Sequence, residues 1–167
     1  NAFNGCSLDS ISFNDELDTI GQYAFSRSGL KEIKKFPANM TTIDSYAFSN
    51  CYNLNHITLP DSVVSINSYA FTNSDVWEED RPGSGISSIT FGKNVQTIGA
   101  YAFGNGNLTE VTLPPKLTSL QKGVFLNNWY LSKITMNEGL TEMRSFCLGG
   151  TDLKEISLPS SLTGIAT

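Results

Sequence analysis

The sequence predicts a mainly β solenoid of about seven stacked units, and three features of the residue pattern support this prediction. An apolar segment of seven residues recurs along the chain, a second apolar pair follows each copy, and a small residue followed by phenylalanine closes most units. The copies begin at positions 8, 30, 54, 86, 108, 131 and 153, so successive starts lie 22, 24, 32, 22, 23 and 22 residues apart. A unit this short cannot bury its own apolar residues, and it must therefore stack on its neighbours.

The recurring segment predicts one strand in each unit. Its clearest copy, residues 54–60, reads LNHITLP, and its last apolar residues alternate with polar ones. A strand with one buried face requires this alternation, and the final proline ends the ladder because it has no amide N–H. Stacked units would form a parallel sheet with strands about 4.8 Å apart.

The second apolar pair predicts a short strand on the opposite wall of the solenoid. Pairs such as Met40/Ile43 and Val63/Ile66 are accompanied by threonine and serine, residues that suit strands. A 3₁₀ turn or an extended segment would also fit the i, i+3 spacing. Glycine, asparagine, serine and proline interrupt every unit, which disfavours a continuous helix.

One unit is longer than the others by ten residues, and the excess falls in the polar stretch 74–85. Insertions in a repeat array become loops outside the stacked core. Trp77 lies in this insertion and is the strongest single hot-spot candidate, because tryptophan is enriched at the centres of protein interfaces. The alternative is that Trp77 folds back and covers the junction between two units. We expect one array over residues 1–167 with partial units at both ends, and hypothesise that it is a segment of a longer protein.

The repeat resembles a known family. The pattern L-x-x-I-x-L-P-x-x-L-x-x-I-x-x-x-A-F-x-x-C is similar to the BspA-like, or Treponema pallidum-type, leucine-rich repeats, and residues 54–71 fit every marked position up to Phe71. Ser74 stands where the cysteine is expected, Cys147-Leu148 replaces Ala-Phe, and Lys35 adds a residue to its unit. The resemblance implies a leucine-rich repeat solenoid that forms a right-handed arc with parallel strands on its inner face. It also implies a secreted or cell-surface protein linked to adhesion, without catalytic residues.

Charge and hydropathy argue against several other classes of function. The formal net charge is -5, from 11 Lys and Arg against 16 Asp and Glu, and no basic run occurs. Nucleic-acid binders normally carry a basic patch, so we expect no nucleic-acid partner. No apolar run approaches the roughly 20 residues of a membrane span, so we expect no membrane insertion of this segment.

The residue types that carry chemistry are few. Cys6 and Cys51 share one repeat position two units apart, about 10 Å at the usual strand spacing, which is too far for a disulfide. We expect them to be buried thiols at a turn, and Cys147 to fill the alanine position in the core. His56 is the single histidine and has no nucleophile beside it. No metal, cofactor or catalytic motif is evident, so we expect a non-catalytic protein.

Two polar columns on the predicted strands form the candidate binding surface. One column contains Ser12, Lys34, Thr58, Thr90, Thr112, Thr135 and Ser157, and its neighbour contains Ser10, Glu32, His56, Ser88, Glu110, Lys133 and Glu155. The irregular charges single out Glu32, Lys34, His56, Glu110, Lys133 and Glu155 as candidate contacts for a protein partner, such as a host matrix or cell-surface protein. The alternative is a solvated sheet face, and then the array would be a structural spacer or stalk that presents another domain.

A third column is aromatic. It consists of Tyr23, Tyr46, Tyr69, Tyr101 and Phe146, each one position before the alanine of its unit or its equivalent. Stacked aromatics at a repeat period commonly protect the flank of a solenoid. An exposed aromatic ladder could instead hold a carbohydrate or a partner helix.

Overall fold

The computed structural model of the protein describes residues 1–73 and 85–166. Its regular elements are short β-strands, and none of the described residues is helical. In chain order the strands are β1 (Ser10–Ser12), β2 (Thr19–Ile20), β3 (Glu32–Lys35), β4 (Thr42–Ile43), β5 (His56–Thr58), β6 (Ser65–Ile66), β7 (Ser88–Thr90), β8 (Thr97–Ile98), β9 (Glu110–Thr112), β10 (Ser119–Leu120), β11 (Lys133–Thr135), β12 (Glu142–Met143) and β13 (Gly164–Ile165). Each unit from the first to the sixth contributes two strands, so the predicted solenoid of stacked parallel strands is confirmed.

The front wall consists of the odd-numbered strands from β1 to β11. Its hydrogen-bonded pairs, β1–β3, β5–β7 and β9–β11, are all parallel and join consecutive units. In β5 the central Ile57 is buried whereas His56 and Thr58 are exposed, and β9 repeats this pattern around Val111. The apolar residue between two polar ones therefore points into the solenoid, as its alternation predicts.

The back wall consists of the even-numbered strands together with β13, and it confirms that the second apolar pair forms a short strand. Strands β2, β4, β6 and β8 form one parallel sheet, and β10, β12 and β13 form another. The second residue of each even-numbered strand from β2 to β12 is buried. Each strand is only two residues long, because a turn follows at once.

A five-residue corner segment links each back strand to the loop that precedes the next front strand. In the second unit this segment is residues 46–50. The N–H groups of Tyr46, Phe48 and Asn50 donate to carbonyl oxygens of the third unit at 3.3, 2.8 and 2.8 Å. Tyr46 and Asn50 have positive φ angles of 60° and 58°. The left-handed residues turn alternate amides towards the neighbouring unit, so the corner also forms an inter-unit ladder.

The core is a column of stacked phenylalanine rings surrounded by aliphatic side chains. Centroid distances between successive rings are 5.0, 5.3, 5.2, 5.3 and 5.8 Å along the series Phe3, Phe25, Phe48, Phe71, Phe103 and Phe125. Phe71 and Phe103 flank the insertion in sequence, yet they stack like the others. Strand pairs β5–β7 and β6–β8 also span it. The ten extra residues therefore leave the stacked core continuous.

The seventh copy behaves differently from the others. Its front segment, residues 153–159, forms no strand, whereas its second apolar pair contributes β13. Ile156 and Leu158 are 42 and 48 % exposed, although their equivalents Ile57 and Leu59 are 2 and 3 % exposed. In a solenoid the units on both sides of a repeat bury its apolar residues, and among the described residues only the sixth unit adjoins the seventh.

Candidate binding surfaces

Outward-facing side chains of the front wall are exposed, as the two-column pattern predicts. Four candidate side chains are exposed in strands β3, β5, β9 and β11, namely Glu32, His56, Glu110 and Lys133. The register places Ser10 opposite Glu32, His56 opposite Ser88, and Lys133 opposite Glu110. Four of the six predicted contact residues of the columns thus lie at equivalent positions on the front strands, which form three two-stranded sheets.

The structure pairs some of these side chains with the neighbouring unit. His56 Nδ1 and Ser88 Oγ lie 2.7 Å apart. Lys133 Nζ lies 3.6 Å from Glu110 Oε2, and the two side chains remain 66 and 67 % exposed. An exposed ion pair of this kind contributes about 0–1 kcal/mol, so it leaves both charges able to exchange partners with a binding protein.

Lys34 does not occupy the register position that the sequence predicts for it. The pairing of β1 with β3 shifts between Ile11 and Ser12, so that Ser12 lies opposite Lys35 and Lys34 is the extra residue of a bulge. The cause is the additional residue in this unit, which the ladder accommodates as an insertion on one strand. Lys34 is still exposed, but Lys35 takes its place in the column and forms a salt bridge of 2.6 Å with Asp15.

Glu155 and Trp77, the two remaining candidates, are not placed on the front sheet. Glu155 is exposed, but it lies in the segment of the seventh copy that forms no strand. Trp77 lies outside the described residues, as does nearly all of the predicted insertion loop 74–85. The role predicted for Trp77 therefore stays a prediction.

All three cysteines are free thiols, as their spacing predicts. Cys51 is 3 % exposed, donates to the carbonyl oxygen of Phe25 at 3.1 Å and lies 3.3 Å from Ser28 Oγ. Burial raises the pKa of the Cys51 thiol and that of Cys147, which fills the core as predicted. The expectation for Cys6 was wrong, because this thiol is only half-buried in the first, partial unit.

The described residues contain no group of three or more His, Cys, Asp or Glu side chains placed to hold a metal ion. They also contain no helix of the length and hydropathy that a membrane span requires.

The aromatic column forms a continuous ladder over four units. Centroid distances are 4.7 Å for Tyr23–Tyr46, 4.8 Å for Tyr46–Tyr69 and 5.1 Å for Tyr69–Tyr101, with interplanar angles of 9°, 2° and 13°. All four rings are half-buried. Desolvation, followed by the neighbouring phenols of Tyr23 and Tyr69, raises the pKa of Tyr46. We call these four residues the tyrosine ladder.

The tyrosine ladder ends at Gly123, which stands where the fifth ring would be. A Cβ atom at Gly123 would lie 2.3 Å from Cε1 of Tyr101, so the Tyr101 ring occupies the space of the missing side chain. Phe146 follows in the next unit and is 65 % exposed. Each tyrosine has a positive φ near 60°, an unusual angle for a bulky residue that the sequence pattern did not reveal.

Two exposed aromatic side chains were not anticipated from the sequence. Trp129 and Tyr130 are 65 and 55 % exposed in the loop before β11. Their position between Asn128 and the apolar Leu131 falls on neither the strand columns nor the aromatic column, so periodicity gave no reason to select them. A second tryptophan at a repeat turn was the available signal, and Trp129 is a further candidate contact for a partner.

A model of the BspA type leucine-rich repeat region, with six copies, matches residues 1–79 and 82–167. No curated protein sequence matches the chain significantly. Among solved structures, a leucine-rich repeat protein of T. pallidum is 21% identical, with a TM-score of 0.79 over 94% of this chain and 72% of its own.

Two other solved structures are bacterial leucine-rich proteins. A leucine-rich cell surface protein of Faecalibacterium prausnitzii is 26% identical, with a TM-score of 0.59 over 96% of this chain and 35% of its own. A leucine-rich repeat protein of Bacteroides ovatus is 24% identical, with a TM-score of 0.66 over 95% of this chain and 45% of its own. The chain thus spans less than half of either protein.

Proposed function

The chain belongs to the BspA type leucine-rich repeat family, and from this premise we propose that it is a non-catalytic, protein-binding domain of a secreted or cell-surface protein. The front wall is its binding surface, and the partner is a host matrix or cell-surface protein. The observation that carries the proposal is that exposed, irregularly charged side chains occupy equivalent positions on four front strands, β3, β5, β9 and β11.

The polar character of this face varies from unit to unit, whereas the buried residues beneath it are nearly uniform. Glu32, His56, Glu110 and Lys133 occupy equivalent positions in different units. A sheet that needed only to be solvated has no requirement for such variation. Extended faces of repeat proteins bind partners through combinations of residues from several units, and charged residues there set specificity and association rate.

The charges available to a partner are not all engaged within the array. Glu32 and Lys34 have no salt bridge to any residue in 1–73 or 85–166. The exposed Glu110–Lys133 pair can exchange partners at small cost. The description of the Faecalibacterium prausnitzii protein as a leucine-rich cell surface protein supports an extracellular location for this chain as well.

The test compares two triple variants with the same change in net charge. The first combines Glu32→Ala, Glu110→Ala and Lys133→Ala on the front wall. The control combines Glu16→Ala, Asp18→Ala and Lys122→Ala, which are exposed residues outside the front strands. Binding of each purified protein to immobilised laminin, to collagen and to intact epithelial cells is measured at physiological salt, together with its thermal unfolding.

We expect saturable binding of the wild type and the control, and at least a tenfold loss of affinity for the front-wall variant at unchanged stability. Equal binding of the two variants would contradict the front wall as the site. Failure of the folded wild type to bind any of the probes would favour the second candidate, a structural spacer. The observation that favours a spacer is the pairing of polar groups between units, as in His56–Ser88 and Glu110–Lys133.

A further inference from the structure

The tyrosine ladder borders a cleft on the back wall, away from the front strands. Ser45, Ser68 and Ala100 line this cleft, and each directly precedes a tyrosine of the ladder. The volume of the cleft is about 400 Å³. Its other lining residues come from the third to the fifth unit and are Ile66, Asn67, Thr97, Ile98, Gly99 and Gln121. Ladder and cleft therefore lie side by side in the second, third and fourth units.

None of the residues that line the cleft is charged, although charged residues are common elsewhere on this surface. The lining offers hydroxyl, amide and backbone groups, and the side chains of Ile66 and Ile98 beneath them are only 0 and 1 % exposed. The carboxylate of Asp44, which bonds to the lining residue Asn67, is itself negative, so an anionic ligand would find no countercharge in the lining. Hydroxyl and amide groups both donate and accept hydrogen bonds, so they suit a neutral ligand that is rich in hydroxyl groups.

A chain of hydrogen bonds holds part of the lining in place. Thr97 Oγ1 donates to Ser65 Oγ at 2.9 Å, and Ser65 Oγ donates to Asn67 Oδ1 at 3.0 Å. Asn67 Nδ2 in turn donates to Asp44 Oδ1 at 3.0 Å. The network spans three units and fixes the orientation of the Asn67 amide. A lining fixed before binding loses less conformational entropy when a ligand arrives.

The cleft is recessed because the back wall changes there. Strands β8 and β10 belong to different sheets, so no ladder continues between them in the described structure. Gly99 follows β8 and contributes no side chain, and it packs so closely on the unit before it that a Cβ atom would lie 2.4 Å from the backbone nitrogen of Ser68.

We propose that the tyrosine ladder and this cleft bind an extended, neutral polysaccharide, with about one sugar ring for each unit of the solenoid. The rungs of the ladder repeat at 4.7–5.1 Å. In an extended β-linked glycan each pyranose lengthens the glycan by about one ring. This length is close to the spacing of the rungs. Sugar hydroxyls would bond to the phenol hydroxyls at the exposed edges of the rings and to Asn67 and Gln121.

A peptide fits this surface less well than a glycan. An extended strand advances by about 3.3 Å per residue, so side chains on one face recur every 6.6 Å or so, out of step with the rungs. Its charged side chains would also meet a lining without countercharge. The stacked ring faces are covered by their neighbours, so the ladder offers edges and hydroxyl groups rather than a flat platform.

The test uses isothermal titration calorimetry with neutral β-linked oligosaccharides of two to six sugars from cellulose, xylan and mannan, and with oligogalacturonate as the charged comparison. We expect saturable binding of at least one neutral series, with an affinity that rises up to about four sugars and then levels off, because the ladder has four rungs. Oligogalacturonate should bind more weakly. Absence of binding by every neutral hexasaccharide at millimolar concentration would overturn the proposal.

Matched variants locate the site. The double variant Tyr46→Phe/Tyr69→Phe removes two hydroxyls and keeps the stack, and Phe146 shows that phenylalanine adopts the required positive φ. Loss of each hydrogen bond should weaken binding by about two- to tenfold. Tyr130→Phe removes an exposed hydroxyl outside the ladder and should change nothing. An unchanged affinity of the double variant, or binding of peptides but of no glycan, would contradict the proposal.

Discussion

Asp61 accepts two hydrogen bonds from a single residue of the next unit, Lys93. One carboxylate oxygen bonds to the backbone N–H of Lys93 at 3.0 Å, and the other lies 2.7 Å from its ammonium nitrogen. Asp15 forms the same kind of clamp two units earlier, with the N–H of Ala38 and the ammonium group of Lys35. Carboxylates at the turn after a front strand thus tie consecutive units together at the surface.

These clamps predict a loss of stability in acid. Hydrogen bonds from Lys93 lower the pKa of Asp61, and the bond from Lys35 lowers that of Asp15. A carboxyl group whose pKa is lower in the folded than in the unfolded state stabilises the fold fully when the pH is above its ordinary pKa. This contribution is lost as the pH falls through the lowered pKa of the folded state. Both residues are exposed to solvent, so the effect should be small. Thermal unfolding midpoints measured between pH 7 and pH 2 should decrease less for Asp61→Asn than for the wild type.

The control for this prediction is Asp18→Asn, which alters an exposed carboxylate without a salt bridge in the described part of the chain. Its acid profile should follow that of the wild type. If both variants lost the same amount of acid sensitivity, the total charge of the protein, rather than the contact between Asp61 and Lys93, would determine how the unfolding midpoint depends on pH.

Ile57 provides the second prediction. This residue is 2 % exposed at the centre of β5, where its side chain packs in the common core. Truncation to alanine leaves a cavity that the neighbouring units cannot fill, so Ile57→Ala should lower the free energy of unfolding by about 2–5 kcal/mol. Urea denaturation followed by circular dichroism measures the change. Thr58→Ala, on the exposed side of the same strand, should stay within about 0.5 kcal/mol of the wild type. A change at Ile57 as small as that would refute the proposed register.

The strands of both walls could be predicted from the sequence because their apolar periodicity reflects burial directly. Each front strand has one central apolar residue between polar ones, and each even-numbered back strand from β2 to β12 ends on a buried one. The same reasoning failed at Lys34, because one extra residue can be placed anywhere in the strand until the ladder shows where the bulge lies. It also failed at the seventh copy, whose front segment repeats the pattern but forms no strand in the described structure.

The binding surfaces were predictable only in part. Membership of the tyrosine ladder follows from position in the repeat, but the positive φ of Tyr46 depends on hydrogen bonds between units that a single unit does not encode. The cleft beside the ladder arises from the absence of a side chain at Gly99 and from the end of a sheet at β8. Such features depend on how neighbouring units are arranged, and residue pattern alone does not contain that information.

Thiol reactivity gives the third prediction. Cys6 is half-buried, whereas Cys51 and Cys147 are buried and burial raises the pKa of each of these two thiols. Because the thiolate is the reactive form, iodoacetamide at pH 8 should alkylate Cys6 first in the folded protein. Mass spectrometry of peptides from timed samples identifies the order. In urea the three rates should become similar, and equal rates already in the folded protein would contradict the burial of Cys51.

Gly99 and Gly21 occupy the same position in different units and provide the sharpest test of unit packing. A Cβ atom at Gly99 would lie 2.4 Å from the backbone nitrogen of Ser68 and 2.7 Å from the carbonyl carbon of Asn67. Because these are backbone atoms, the units must separate to admit a methyl group, and Gly99→Ala should destabilise the protein by about 1–3 kcal/mol.

The atoms that crowd Gly99 belong to the preceding unit, whereas Gly21 lies in the first unit of this sequence, where a Cβ atom would meet nothing within 4 Å. Gly21→Ala should therefore be neutral or stabilise the protein by up to about 1 kcal/mol, since alanine restricts the unfolded chain. Urea denaturation of the two variants measures both effects, and hydrogen exchange in the Gly99 variant should show faster opening between β6 and β8. Equal stabilities of the two variants would mean that the unit after the insertion does not pack as tightly as the Gly99 contacts require.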